Sequence, residues 1–320
     1  MNARDVRLGG RWTWLQRLKN DLLWALASAV LATVRPLPRS VLRRVGRALG
    51  LFAYAIAVGP RATALANVAR VYPRKNTRDG KALVRRCFVT AGEALGETVA
   101  SMQCGRSPPI PLSEEARGIL DTALAEGRGV VFASAHLGPW ERVAASLVVA
   151  GVPLVVLARE SYDPRFSRLF ERLRADNGVP SIWRARPGAA AGILRALRNG
   201  RVLGVPMDLR TRTASCAAPF LGHDAPTAVG PARIALRLGA PVVVGTAAPA
   251  GARSSLRGPA GPETPFVITA TRIAAADLTC DDNGSRILTG RINDELSRRI
   301  LAMPHAWVWM HERWNRQSGV

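Results

Sequence analysis

From residue 129 onward, short unbroken apolar runs alternate with longer amphipathic stretches. The runs at 129–133, 152–158, 179–183, 202–206, 241–247 and 265–272 read as strands, because they are brief and rich in Val, Leu and Ile. The stretches at 140–150, 164–177, 189–199, 229–238 and 284–302 repeat their apolar residues at helical spacing. Continuous apolar strands separated by helices imply a mostly parallel sheet with both faces covered. The expected fold class is therefore α/β. Residues 60–104 read as two helices, the first stopped by Pro73, and residues 105–112 form a proline-marked loop. A last short extended piece is expected at 307–311, and a surface loop at the Ala/Gly/Pro/Arg stretch near 247–264.

The N-terminal pattern differs. LLWALASAVLATV at 22–34 is apolar but shorter than the about 20 residues a spanning helix needs. Arginines flank it, a second apolar stretch follows at 48–58, and Trp12, Trp14 and Trp24 lie close by. Such flanking suits a membrane interface. Residues 1–60 are read as a membrane-associated helical segment and 61–320 as the α/β domain; a buried helix pair is the alternative for the first.

Composition sharpens the picture. The 320 residues carry 45 Lys+Arg against 23 Asp+Glu, a net charge of +22, which suits nucleic acid, an anionic membrane surface or an acidic protein. The arginines are spread out and no nucleic-acid module is visible, so nucleic acid is set aside as a partner. The four cysteines are scattered without a CxxC pair, which argues against a zinc cage or disulfide framework. His311-Glu312 starts like HExxH but reaches Asn315 where the second histidine would stand. No metal and no cofactor are expected, nor is a P-loop, GxGxxG or GxSxG present.

The chemistry concentrates in SAHLGPWE, residues 134–141, which follows a buried strand and opens a helix. In open α/β sheets reacting groups gather at the carboxyl ends of strands. A neutral imidazole at His136 can take the proton of an attacking hydroxyl, and a carboxylate on its other ring nitrogen fixes the tautomer. The Gly138-Pro139 turn is expected to bring Glu141 back against that ring. A capped turn without chemistry has the same local pattern.

The stretch resembles the H-x4-D/E signature of the glycerolipid acyltransferase superfamily. The closer resemblance is to the bacterial lipid A biosynthesis acyltransferases, lauroyl and myristoyl transferases among them, whose GHFGNWE reads AHLGPWE here. ALANVARVYP around 65–73, VVLARE with Arg159, GVPMDLR with Asp208, the block at 219–243 and WVWMHERW at 307–314 follow in the family's order. The resemblance implies O-acyl transfer from acyl carrier protein or coenzyme A thioesters to a lipid hydroxyl, at the cytoplasmic face of the inner membrane. It makes His136 and Glu141 catalytic. It places Arg159, Asp208, Arg210, Thr227 and Arg313 at the substrate. The acidic carrier, phosphate-bearing coenzyme A and an anionic membrane all suit a basic protein. Pro139 in place of the usual Asn and the reduced acidic run at Asp208 leave the acceptor open: a lipid A precursor, or a glycolipid, lipopeptide or pigment-type product.

Overall fold

The computed structural model describes residues 10–34, 36–101, 108–211, 213–250 and 266–314. Four helices come first: α1 (Trp14–Val34), α2 (Arg39–Ile56), α3 (Val58–Val71) and α4 (Thr77–Ser101). Then α5 (Glu114–Ala125) leads into β1 (Val130–Ser134), α6 (Trp140–Val149), β2 (Leu154–Ala158), α7 (Pro164–Asp176), β3 (Ser181–Trp183), α8 (Ala189–Arg198) and β4 (Val202–Pro206). A hairpin of β5 (Ser215–Phe220) and β6 (His223–Ala228) precedes α9 (Gly230–Leu238), β7 (Val242–Pro249), β8 (Phe266–Ile273) and α10 (Asp282–Ala302).

The main sheet runs β3-β2-β4-β1-β7-β8. Every neighbouring pair is parallel except β7 and β8, so the fold is α/β with a mostly parallel sheet. Side chains alternate across it. Val131 and Ala133 of β1 join a core with residues of α3, α4, α8, α9 and α10. Val130 and Phe132 join a second core with α5 and α6 on the other face. Side-chain caps open α5, α7 and α10: Ser113 accepts from the Ala116 amide ahead of Glu114 and Glu115, Asp163 from Arg165, and Asp281 from Gly284.

The boundary expected near residue 60 falls inside a packed helical unit. Gly46 and Gly50 of α2 lie against the backbone of α4 at Gly92 and Phe88, and a Cβ on Gly46, Gly50, Gly92 or Gly96 would collide with main-chain atoms. In α1, Leu15, Leu18, Leu22, Leu23 and Leu26 are all exposed. The helix is tied down by Asp21 to Arg165 at 2.7 Å and by Trp24 edge-on to Phe166 at 5.2 Å. Among the described residues no single helix is long and apolar enough to cross a membrane. α2 and α3 pass that test only together, and they bend by 88° at their junction.

The last piece departs from the extended strand expected at 307–311. It forms a short 3₁₀ turn (Pro304–Ala306) followed by turns, with one isolated bridge from Trp307 to Leu137. Its backbone is held from outside the sheet: the Asn67 side chain donates to the carbonyls of Trp309 at 2.9 Å and His311 at 2.8 Å. The surface loop expected near 247–264 lies mostly outside the described residues.

Candidate active site

β1 and β4 are parallel neighbours in a register that sets Ser134 opposite Pro206. Two residues farther along each strand, at the carboxyl edge of the sheet, stand His136 and Asp208. The His136 ring meets Asp208 through Nδ1 to Oδ1 at 2.9 Å. The His136 backbone N–H donates to Asp208 Oδ2 at 2.9 Å, and Trp307 Nε1 donates to the same oxygen at 2.8 Å. Asp208 is fully buried, so these donors replace water for its charge. The turn between His136 and α6 is fixed by Gly138, whose φ of 61° suits glycine and whose N–H donates to the Ala306 carbonyl at 3.0 Å.

A buried charge disfavours its own ionisation, and burial alone would lower the His136 pKa and raise that of Asp208. Their mutual attraction and hydrogen bond outweigh this. The His136 pKa ends above its ordinary value, with a further upward push from Glu141 against an opposing one from Arg174. Asp208 is held below the usual carboxylate range, since the His136 charge and the three hydrogen bonds overcome desolvation. With Nδ1–H given to Asp208, Nε2 carries the lone pair. This is the tautomer a general base needs.

Glu141 sits elsewhere than the sequence reading placed it. It lies in the first turn of α6 and takes a two-point grip from Arg174 of α7, Nε to Oε2 at 3.0 Å and Nη2 to Oε1 at 2.6 Å. The imidazole's carboxylate partner is thus Asp208, 72 residues away in sequence, and not Glu141. The physical reason is the parallel strand pairing, which a local motif does not display. Glu141 still faces the same space: a cleft of about 420 Å³ lined by His136, Glu141, Arg159 and Arg174, with Leu95, Phe170 and Trp183 as apolar wall.

The chain matches the model of the bacterial lipid A biosynthesis acyltransferases over residues 12–316. It belongs to that family. A search of curated proteins returned no match. The acyltransferase therefore carries AHLGPWE at the cleft, with its histidine and its glutamate both lining the space.

The remaining expected residues divide into two groups. Arg159, just past β2, lines the cleft. Thr227 and Arg313 do not reach it: both are fully buried, and Arg313 Nη2 donates to Thr227 Oγ1 at 2.6 Å. Arg313 also donates to the Pro226 carbonyl, and its guanidinium lies 4.5 Å from the centre of the Phe220 ring. Burial pushes its pKa down to about 10, with Asp208 as the counteracting charge, so it stays cationic beneath the dyad at neutral pH. Arg210, two residues beyond Asp208, is half-buried and outside the cleft lining.

Three further residues belong to the site. Trp307 donates to Asp208, Trp140 packs edge-on to the His136 ring at 5.3 Å, and Arg174 grips Glu141. The tryptophans were visible as part of motifs already singled out. Arg174 was not: it is one of four arginines in PRFSRLFERLRAD, and nothing local distinguishes it.

Proposed function

We propose that this acyltransferase moves a fatty acyl group from an acyl carrier protein or coenzyme A thioester to a hydroxyl of a lipid acceptor, lipid A precursor-like, with His136 as general base. The observation that carries the reading is the His136–Asp208 pair, whose imidazole lines the cleft while its carboxylate is buried behind it. Nε2 accepts the hydroxyl proton as the acceptor oxygen attacks the thioester carbonyl. The C–O bond forms, the C–S bond breaks, and the imidazolium returns the proton to the departing thiolate. Asp208 orients the ring and stabilises its charged form; the His136 charge and the hydrogen bonds from His136 and Trp307 hold Asp208 ionised against desolvation. Arg159 is the guanidinium placed to stabilise charge on the carbonyl oxygen, and Glu141 orders Arg174 across the cleft. The apolar wall at Leu95, Phe170 and Trp183 suits the start of an acyl chain.

The same reading puts the protein on the cytoplasmic face of the inner membrane. The exposed apolar row of α1, with Phe52 and Ile56 of α2, supports an interfacial helix rather than a spanning one. The net charge of +22 favours an anionic surface.

The test is acyl transfer by the detergent-solubilised protein, offered a panel of acyl thioesters with total bacterial lipid extract and read by mass spectrometry. A new lipid ester that disappears in His136→Ala supports the reading and identifies donor and acceptor together. An ester formed equally by His136→Ala removes the histidine from the chemistry.

A further inference from the structure

A second groove, of about 770 Å³, adjoins the catalytic cleft and shares Ala94, Gly138 and Pro139 with it. Its polar wall is dominated by one sign of charge: six arginines against two glutamates. Arg39, Arg43 and Arg47 come from α2, Arg85 and Arg86 from α4, and Arg142 from α6, two residues past the catalytic turn. Glu97, buried at 6% exposure, is shared by three of them: Arg39 at 2.9 Å, Arg142 at 2.9 Å and Arg43 at 3.3 Å. Glu93 pairs with Arg47 at 3.3 Å. One carboxylate cannot neutralise three guanidiniums, so the groove holds cationic charge in a partly desolvated place. The pKa of Arg142 reflects this: burial lowers it first, and Arg39 and Arg43 push in the same direction against Glu97. Leu51, Val89, Phe266 and Met303 add apolar lining.

We infer that this groove binds the phosphate ester of an amphiphilic substrate whose reacting end lies at His136. A phosphate brings the acceptor oxygens that clustered guanidiniums recognise, and the apolar lining takes the chain or arm that joins it to the reacting group. Identifying it as a substrate site rests on the acyl-transfer reading; the existence of the anion site does not. The same chemistry has two sources, the phosphates of a coenzyme A or phosphopantetheine donor and the phosphorylated headgroup of a lipid acceptor.

The experiment measures binding to His136→Ala protein, so that turnover does not enter. The probes are coenzyme A, by titration calorimetry, and phosphatidic acid in mixed detergent micelles with phosphatidylcholine as the neutral control. Each is measured with the groove intact, with Arg85→Gln/Arg86→Gln, with Arg47→Gln, and with Arg237→Gln, an exposed arginine on α9 outside the groove lining. The expected result is a weakening of about tenfold or more in the groove variants, relieved in Arg85→Lys/Arg86→Lys, with Arg237→Gln unchanged. Weakening for coenzyme A alone assigns the groove to the donor, for phosphatidic acid alone to the acceptor, and for both to phosphate as such. The inference is overturned if neither probe binds with the groove intact. It is likewise overturned if the groove variants bind normally at unchanged melting temperature, or if Arg237→Gln weakens binding equally. Groove-dependent binding without any acyl transfer would leave the site standing and remove the catalytic reading.

Discussion

Neutralising Asp208 and neutralising Glu141 are expected to have different consequences, because only Asp208 holds the imidazole. Asp208→Asn keeps the shape but loses the tautomer control and the stabilised imidazolium, and kcat is expected to fall by about 10²–10⁴-fold. The base must be neutral to work. Since the His136 pKa lies above the ordinary 6.5, activity falls as pH drops through that raised value, and the acid limb of kcat/KM lies above 6.5. In Asp208→Asn the largest upward push is gone while burial remains, so the limb moves to lower pH. Glu141 and Arg174 are expected to act as a unit. Glu141→Gln and Arg174→Gln each lower kcat/KM, and the double variant costs little more than either alone, a coupling a double-mutant cycle measures directly. His136 itself was legible in the sequence because its neighbours GPWE form a local motif after a strand. Its partner was not, because Asp208 arrives through strand pairing 72 residues away. Arg313 and Thr227 were legible as parts of motifs, but a sequence does not distinguish a buried support from a residue in the cleft.

Among the elements, the contact of α2 with α4 is the least tolerant. Their glycines let the two backbones touch, and Gly92→Val drives a side chain into the main chain of Gly46. Overpacking of this kind costs about 1–3 kcal/mol, and here more is expected because the obstacle is backbone. Thermal melting reads it, and Gly59→Ala, with open space around its Cβ, serves as the tolerant control. The strands of the sheet were readable because strands buried on both faces are written as unbroken apolar runs. The hairpin of β5 and β6 was not: SCAAPF and HDAPTA are poor in β-branched and aromatic residues, and their turn sits at Leu221-Gly222, with Leu221 itself at a φ of 51°. The signal for α5 was present in Ser113 followed by two glutamates, a cap pattern ahead of EEARGILDTALA. The extended piece expected at 307–311 gives way to turns after Trp307, where Trp307 and Trp309 are buried against Phe220 and Tyr72 rather than paired in a ladder.

At the scale of the whole molecule, the leucines of α1 and Phe52 and Ile56 of α2 are exposed, while arginines line the groove beside the cleft. Leu22→Asp/Leu26→Asp is expected to reduce flotation with anionic vesicles severalfold while leaving the melting temperature nearly unchanged, since both leucines are largely exposed in the folded protein. Added salt weakens flotation further, because part of the attraction is electrostatic. The chain's helical N-terminus, its α/β sheet and its dyad then describe one device: a basic acyltransferase with its histidine at the sheet edge, which the proposed reading lays on a lipid surface. The decisive measurement is the rate of acyl transfer from one acyl thioester by wild type, His136→Ala, Asp208→Asn and Glu141→Gln, side by side. The account predicts loss of activity in His136→Ala, a deep loss in Asp208→Asn and a lesser one in Glu141→Gln. Full activity in Asp208→Asn alongside complete loss in Glu141→Gln would contradict it.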